Sequence, residues 1–281
     1  MRCNERFAGA GSFRVSPNLF GYGKSLPKIK SKVAFPSSLC VTSIPIGKLR
    51  MKILGMIGGL GPESTMDYYR LIIAAYRDRT RDDSYPPMII NSIDLQRIIR
   101  LMEAEDFATV ADAMVAEVEK LAKAGAEFGL ISSNTPHVAF DNIRRRSAIP
   151  LLSIVEATCD EAHSQGLSKL ALFGSGFTMK ARFYPEVFAK RRMSVVMPDA
   201  NEQAYIHRKY MDELVKGVFL PETRSQLLEI VEQMKQRDGI EGLILGGTEL
   251  PLMLRDAHES GIPFLDTTWI HANAAVREML A

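Results

Sequence analysis

The sequence predicts an α/β fold: two similar doubly wound parallel-sheet lobes, an internal pseudo-repeat, with a ligand cleft between them. Three observations carry this. Short apolar runs alternate with longer segments of helical periodicity, which is the pattern of a parallel sheet covered by helices. Four of those runs end in glycine or small polar residues: GGLG, SSNT, GSGFT and GGTE. And the pattern begins again half-way. Ile57-Gly58 and Phe173-Gly174 lie 116 residues apart, and the Gly-Leu-Ile runs at 129–131 and 242–244 lie 113 apart. Two motifs repeating at nearly one offset point to a duplicated unit.

The first unit opens at Lys52. KILGMIG (52–58) is a strand, and GLGP turns it into ESTMDYYRLIIAAYRDR, where Tyr69, Ile72, Ile73 and Tyr76 recur at helical spacing. Pro62 suits a first helical turn and Glu63 the positive end of the helix dipole. PMIINSI (87–93) is the second strand, and FATVADAMVAEVEKLAKAG (107–125) is a helix ended by Gly125. AEFGLIS (126–132) is the third strand. A helix from about Pro136, a strand near IPLL and the helix SIVEATCDEAHSQG follow. In the second unit SKLALFGSGFTM (168–179) repeats strand, glycine turn and helix start. MSVVMPD is a strand, EQAYIHRKYMDELVKG and TRSQLLEIVEQMKQRDG are helices, and EGLILGGTELP (241–251) is a strand with a small-residue end. The expected division is 51–150 with 266–281 as the first lobe and 151–265 as the second. The last helix returns to the first lobe, because DTTWIHANAAV follows the second lobe's final strand.

Composition narrows the function. The 281 residues are 46% hydrophobic and 24% charged, the balance of a soluble globular protein. Residues 1–50 hold nine Lys/Arg and one acidic residue, Glu5. They are rich in Ser, Gly and Pro and lack hydrophobic periodicity. This reads as a transit peptide, chloroplast rather than mitochondrial. The alternative is a true start at Met51 and a cytoplasmic protein. The remaining residues hold 26 Lys/Arg against 32 Asp/Glu, so nothing there calls for nucleic acid as partner. No apolar run reaches the roughly 18–20 residues of a membrane span. Cys3, Cys40 and Cys159 make neither a disulfide framework nor a metal cluster. The glycine loop is not a dinucleotide fingerprint: after Gly59 and Gly61 the third glycine is replaced by Ser64, and Asn91 and Ser92 stand where an acid is needed. Nor does it carry the Gly-Lys-Ser/Thr of a phosphate loop.

Ligands of parallel sheets sit beyond the carboxyl ends of the strands. Two facing lobes would bring the four small-residue ends to one cleft. Glycine turns and helix starts offer backbone N–H groups to anions. The expected ligand is therefore small and carries a carboxylate. The candidate contacts are Gly58, Gly59, Asn91, Ser92, Asn134, Thr135, Thr178, Gly247, Thr248 and Glu249.

With these residues in place, the chain resembles the aspartate/glutamate racemase superfamily, the cofactor-independent amino-acid racemases. The resemblance rests on GMIGGLGPEST (55–65), SNTPH (133–137), GSGFTMKARFY (174–184), GGTELP (246–251) and DTTWIHANAAV (266–276), in matching order along 51–281. It implies an isomerase that moves the Cα proton of a small acidic amino acid, with no pyridoxal phosphate or other cofactor. It also implies a homodimer, which nothing in the sequence itself shows. In the family two thiols flank the substrate Cα, one just before the Asn-Thr of the first repeat and one just before the Thr-Glu of the second. A thiol suits the task because its pKa, roughly 8.5, is easily tuned. Here the two positions hold Ser133 and Gly247. Ser133 becomes the candidate proton carrier, or else a hydrogen-bond donor to the ligand. His137, titratable near neutrality, is the candidate second acid/base, or else it orients the loop. Glu249, at a helix start, reads as a cap rather than a base. Gly247 enlarges the cleft and leaves one face without a side chain. The competing function is a carboxylate-binding protein that does not racemise, or another reaction class on the same scaffold.

Overall fold

The computed structural model describes residues 50–81, 83–255 and 260–281. The expected transit peptide, with Cys3 and Cys40, lies outside the described residues. In chain order, β1 (Leu54–Gly58) leads through the glycine loop into α1 (Pro62–Thr80). β2 (Met88–Ser92) is followed by α2 (Leu95–Glu103) and α3 (Phe107–Lys123). β3 (Phe128–Ile131) passes through a 3-10 turn, Thr135–Ala139, into α4 (Phe140–Arg146). β4 (Leu151–Leu152) enters α5 (Ile154–Ser164). The second unit runs β5 (Lys169–Phe173), α6 (Gly176–Lys180), α7 (Phe183–Ala189), β6 (Ser194–Val196), α8 (Ala200–Asp212) and α9 (Pro221–Asp238). It closes with β7 (Gly242–Leu245), α10 (Leu250–Leu254), β8 (Phe264–Asp266) and α11 (Thr267–Met279).

The strands form two parallel sheets, ordered β2-β1-β3-β4 and β6-β5-β7-β8. The order is the same in both, and so is the register at the ligand end: Ile57 stands opposite Ile131, and Phe173 opposite Leu245. The central strands β1, β3 and β7 are buried along their whole length, as parallel strands covered on both faces must be. On the first sheet, Val110, Met114, Val118 and Leu121 of α3 cover one face. Tyr68, Ile72 and Tyr76 of α1 cover the other, together with Ala272, Ala275, Val276 and Met279 of α11. Each fully buried large side chain there contributes roughly 1.5–3 kcal/mol relative to exposure.

Two helices go beyond the expected elements. α2 starts at Asp94, whose carboxylate accepts the Gln96 N–H at 2.9 Å, and it buries Ile98 and Met102. α7 follows α6 after a break of two residues. The chain also crosses between the lobes twice. β4 pairs with β3, so this strand, past the expected boundary at 150, completes the first sheet. α5, directly after it, packs on the second sheet through Ile154, Val155, Cys159 and Ala162. β8 completes the second sheet, and α11 then lies against the first. There the Lys52 N–H donates to the Met279 carbonyl at 3.1 Å.

Candidate active site

The polar strand ends meet across the lobes. The Thr135 hydroxyl, after β3, lies 3.2 Å from both the Ser175 and Thr178 hydroxyls, after β5. Ser64, in the first turn of α1, donates to Glu249 Oε1 at 2.7 Å and lies 2.8 Å from the Thr248 hydroxyl. Gly61, with φ at 128°, lets this pairing form, since a Cβ at that position would collide with the Glu249 carboxylate. Glu249 Oε2 accepts from Thr248 at 3.1 Å and from the Tyr210 hydroxyl. Glu249 does sit at the start of α10, but its side chain makes no cap bond. The cap expectation gives way to a buried carboxylate held by three hydroxyls.

These residues enclose a cavity. Its polar part is Ser133, Thr135, Ser175, Tyr210 and Glu249, and its apolar wall includes Leu60, Ile98, Met102 and Phe177. Most hydroxyls around it are committed: Ser64, Thr135, Ser175, Thr178, Thr248 and Tyr210 each bond another of the group or Glu249. Ser133 differs. It is half-buried, it lines the cavity, and among the described residues nothing hydrogen-bonds its hydroxyl.

Gly247 does not enlarge the cleft. A side chain there would overlap the ring of Tyr210, with its Cβ 2.8 Å from Cζ and 3.0 Å from the hydroxyl oxygen. Tyr210, from α8, has taken that space. Burial raises its pKa well above the usual phenol value, and the Glu249 charge adds to this; bonds from Thr248 and the Glu249 N–H act the other way. Sequence reading missed Tyr210. It lies in the last turn of α8, between Lys209 and Met211 and far along the chain from the strand ends, and the signal was a glycine where a side chain was expected.

Other expected contacts are used elsewhere. His137 is buried, and its Nε2 accepts the Ile154 N–H at 3.3 Å while its ring stacks on Phe140 at 4.6 Å. Burial, with His271 nearby, pushes its pKa down to about 3. A ring so committed is a poor proton acceptor and does not line the cavity, so the acid/base expectation gives way to the loop-orienting one. Asn134 is held at both ends of its amide: its Oδ1 accepts the Tyr184 hydroxyl at 2.6 Å and its Nδ2 donates to Thr267 at 3.2 Å. It is buried, pins the loop, and is not part of the cavity lining. Thr178 is fully buried beneath Thr135 and Ser175. The Gly59 N–H donates to Thr65 at 2.9 Å, and the Gly58 carbonyl accepts the Ile93 N–H at 3.0 Å, so both glycines shape the turn. Asn91 donates to Glu117 at 2.7 Å and, with Ser92, lines a separate hollow beside α3. Those two residues do not reach the cleft. Among the described residues there is no metal-binding cluster and no helix long and apolar enough to cross a membrane.

A duplicated two-sheet α/β chain with hydroxyl-lined strand ends around one cleft has a counterpart among known proteins. Residues 57–275 match the Asp/Glu/Hydantoin racemase family, and the chain belongs to it. The Broad specificity amino-acid racemase RacX of Bacillus subtilis (strain 168) is 26% identical over 240 residues, covering 82% of this chain and 99% of that protein. The crystal structure of an aspartate racemase homologue from Pyrococcus horikoshii OT3 is 32% identical with a TM-score of 0.71, covering 81% of this chain and 98% of its own. Picrophilus torridus aspartate racemase, at 19% identity and a TM-score of 0.61 over 81% of this chain and 94% of its own, shares the fold. Family and relatives together support an enzyme of the amino-acid racemase type.

Proposed function

We propose that this chain moves the Cα proton of a small carboxylate-bearing amino acid, aspartate- or glutamate-like, without pyridoxal phosphate, and that Ser133 serves one face of the substrate. The observation that carries this reading is the uncommitted Ser133 hydroxyl, in the cleft and at the first thiol position of the resemblance. Inverting a Cα needs one group to take the proton and another to return it on the opposite face. In this reading Ser133 returns it, and solvent restores the hydroxyl. Thr135, Ser175 and the backbone of the Ser133–Thr135 turn are the carboxylate contacts. A second reading of the substrate is favoured by the lining. The wall is apolar and its one ionisable group besides the phenol is the Glu249 carboxylate, so an apolar side chain fits better than a second carboxylate.

The test is Cα deuteration in D2O, read by NMR, with chiral chromatography for inversion. The substrates are both enantiomers of aspartate, glutamate and a panel of apolar amino acids. We expect exchange with inversion for at least one compound, and a loss of about 10²-fold or more in Ser133→Ala with binding retained. Full activity in that variant removes Ser133 from the chemistry. A ligand that stabilises the fold with no exchange at all makes the chain a binding protein.

A further inference from the structure

We infer that Tyr210, backed by Glu249, is the proton-transfer group on the second face of the cleft, the face where Gly247 offers no side chain. This rests on the reading of the cleft as a racemase-type site. Tyr210 and any side chain at position 247 exclude each other, because the ring overlaps where that Cβ would stand. The phenol oxygen lies 3.0 Å from that Cβ position, so it stands beside the place where a side chain at 247 would begin. The hydroxyl already has a proton acceptor, the Glu249 carboxylate. That carboxylate is held in place by Ser64 at 2.7 Å and Thr248 at 3.1 Å. Tyr210 and Glu249 line the same cavity as Ser133.

The step balances without any co-reactant. The Cα–H bond breaks and its proton goes to the phenol oxygen. The phenol's own proton passes to Glu249, and the electron pair stays on Cα, delocalised into the substrate carboxylate. Protonation from the Ser133 face then completes inversion, and Glu249 returns its proton through the phenol to solvent. A tyrosine backed by a carboxylate thus replaces a thiolate, since it takes a proton without having to be ionised beforehand.

Tyr210→Phe in the full chain is the direct test, because the ring still fills the space beside Gly247. Inversion should fall about 10²-fold or more while amino-acid binding, followed by thermal shift, is kept. Residual Cα deuteration should be confined to one enantiomer. Inversion at the wild-type rate with both enantiomers exchanging overturns the assignment and leaves the racemase reading intact. If the wild type moves no Cα proton on any amino acid, the racemase reading fails and the assignment falls with it. A second comparison guards against a purely structural effect. Tyr210→Ala combined with Gly247→Cys should recover inversion relative to Tyr210→Ala alone, since a thiol now has room. No recovery in a folded, ligand-binding double variant counts against a proton-transfer role at that place.

Discussion

Gly247 carries no side chain because the Tyr210 ring stands where one would be. Gly247→Ala should therefore cost about 1–3 kcal/mol by urea unfolding, the range for overpacking a filled site. The cost should persist with Tyr210→Phe and shrink with Tyr210→Ala, because the ring and not the hydroxyl is in the way. Asn134 gives a second expectation. Asn134→Ala leaves the buried Tyr184 hydroxyl without its 2.6 Å acceptor and should cost about 1–3 kcal/mol, with the loop carrying Ser133 loosened. At this scale the sequence was partly legible. The run of small polar residues at 132–135 marked the cleft, and Ser133 and Thr135 do line it. Which hydroxyls would pair with one another was not legible, because Thr135 meets Ser175 and Ser64 meets Glu249 only once the lobes are docked. Asn134, His137 and Asn91 have the chemistry of ligand contacts and spend it on their own scaffold.

The strands were the most legible elements. FGLI and GLIL are continuous apolar runs because both faces of their sheets are covered, and each stops where its polar end begins. α2 was missed although its apolar residues Leu95, Ile98, Ile99 and Met102 follow helical spacing. Its nine residues are short, and they sit between a strand and a far more strongly patterned helix. All four of those side chains line the cavity, so the helix forms part of its apolar wall. Its start depends on the Asp94 cap. Asp94→Ala should lower stability by about 1 kcal/mol in urea unfolding, and Asp94→Asn, which preserves a capping oxygen, by much less.

Across the whole molecule two buried histidines grip one crossing segment. His137 holds the Ile154 N–H, and His271 lies 3.3 Å from the Leu152 carbonyl while meeting the Tyr68 hydroxyl at 2.9 Å. Burial holds their pKa values down, to about 3 and about 4. An unfolded histidine titrates near about 6.5, so below that pH the unfolded chain binds more protons than the folded one. The stabilising contribution is thus complete above about pH 6.5 and is lost as pH falls toward the folded values. The slope is of order 1.4 kcal/mol per pH unit for each histidine. Urea midpoints from pH 7.5 to 4.5 should drop accordingly, and more gently in His137→Gln. An unchanged wild-type midpoint between pH 7 and 5 would contradict it.

The double crossing has a consequence for how the duplication is read. Although the two sheets repeat one pattern, neither half owns a finished surface. A chain cut just before β4 would release a first fragment without its fourth strand and without the α11 cover over Leu54, Met56 and Tyr68. The second fragment would carry β4 without its partner strand and α11 with Ala272, Ala275, Val276 and Met279 uncovered. The two repeats have become interlaced, like a buckle whose tongue each side supplies to the other, and drawing them apart would bare apolar surface on both.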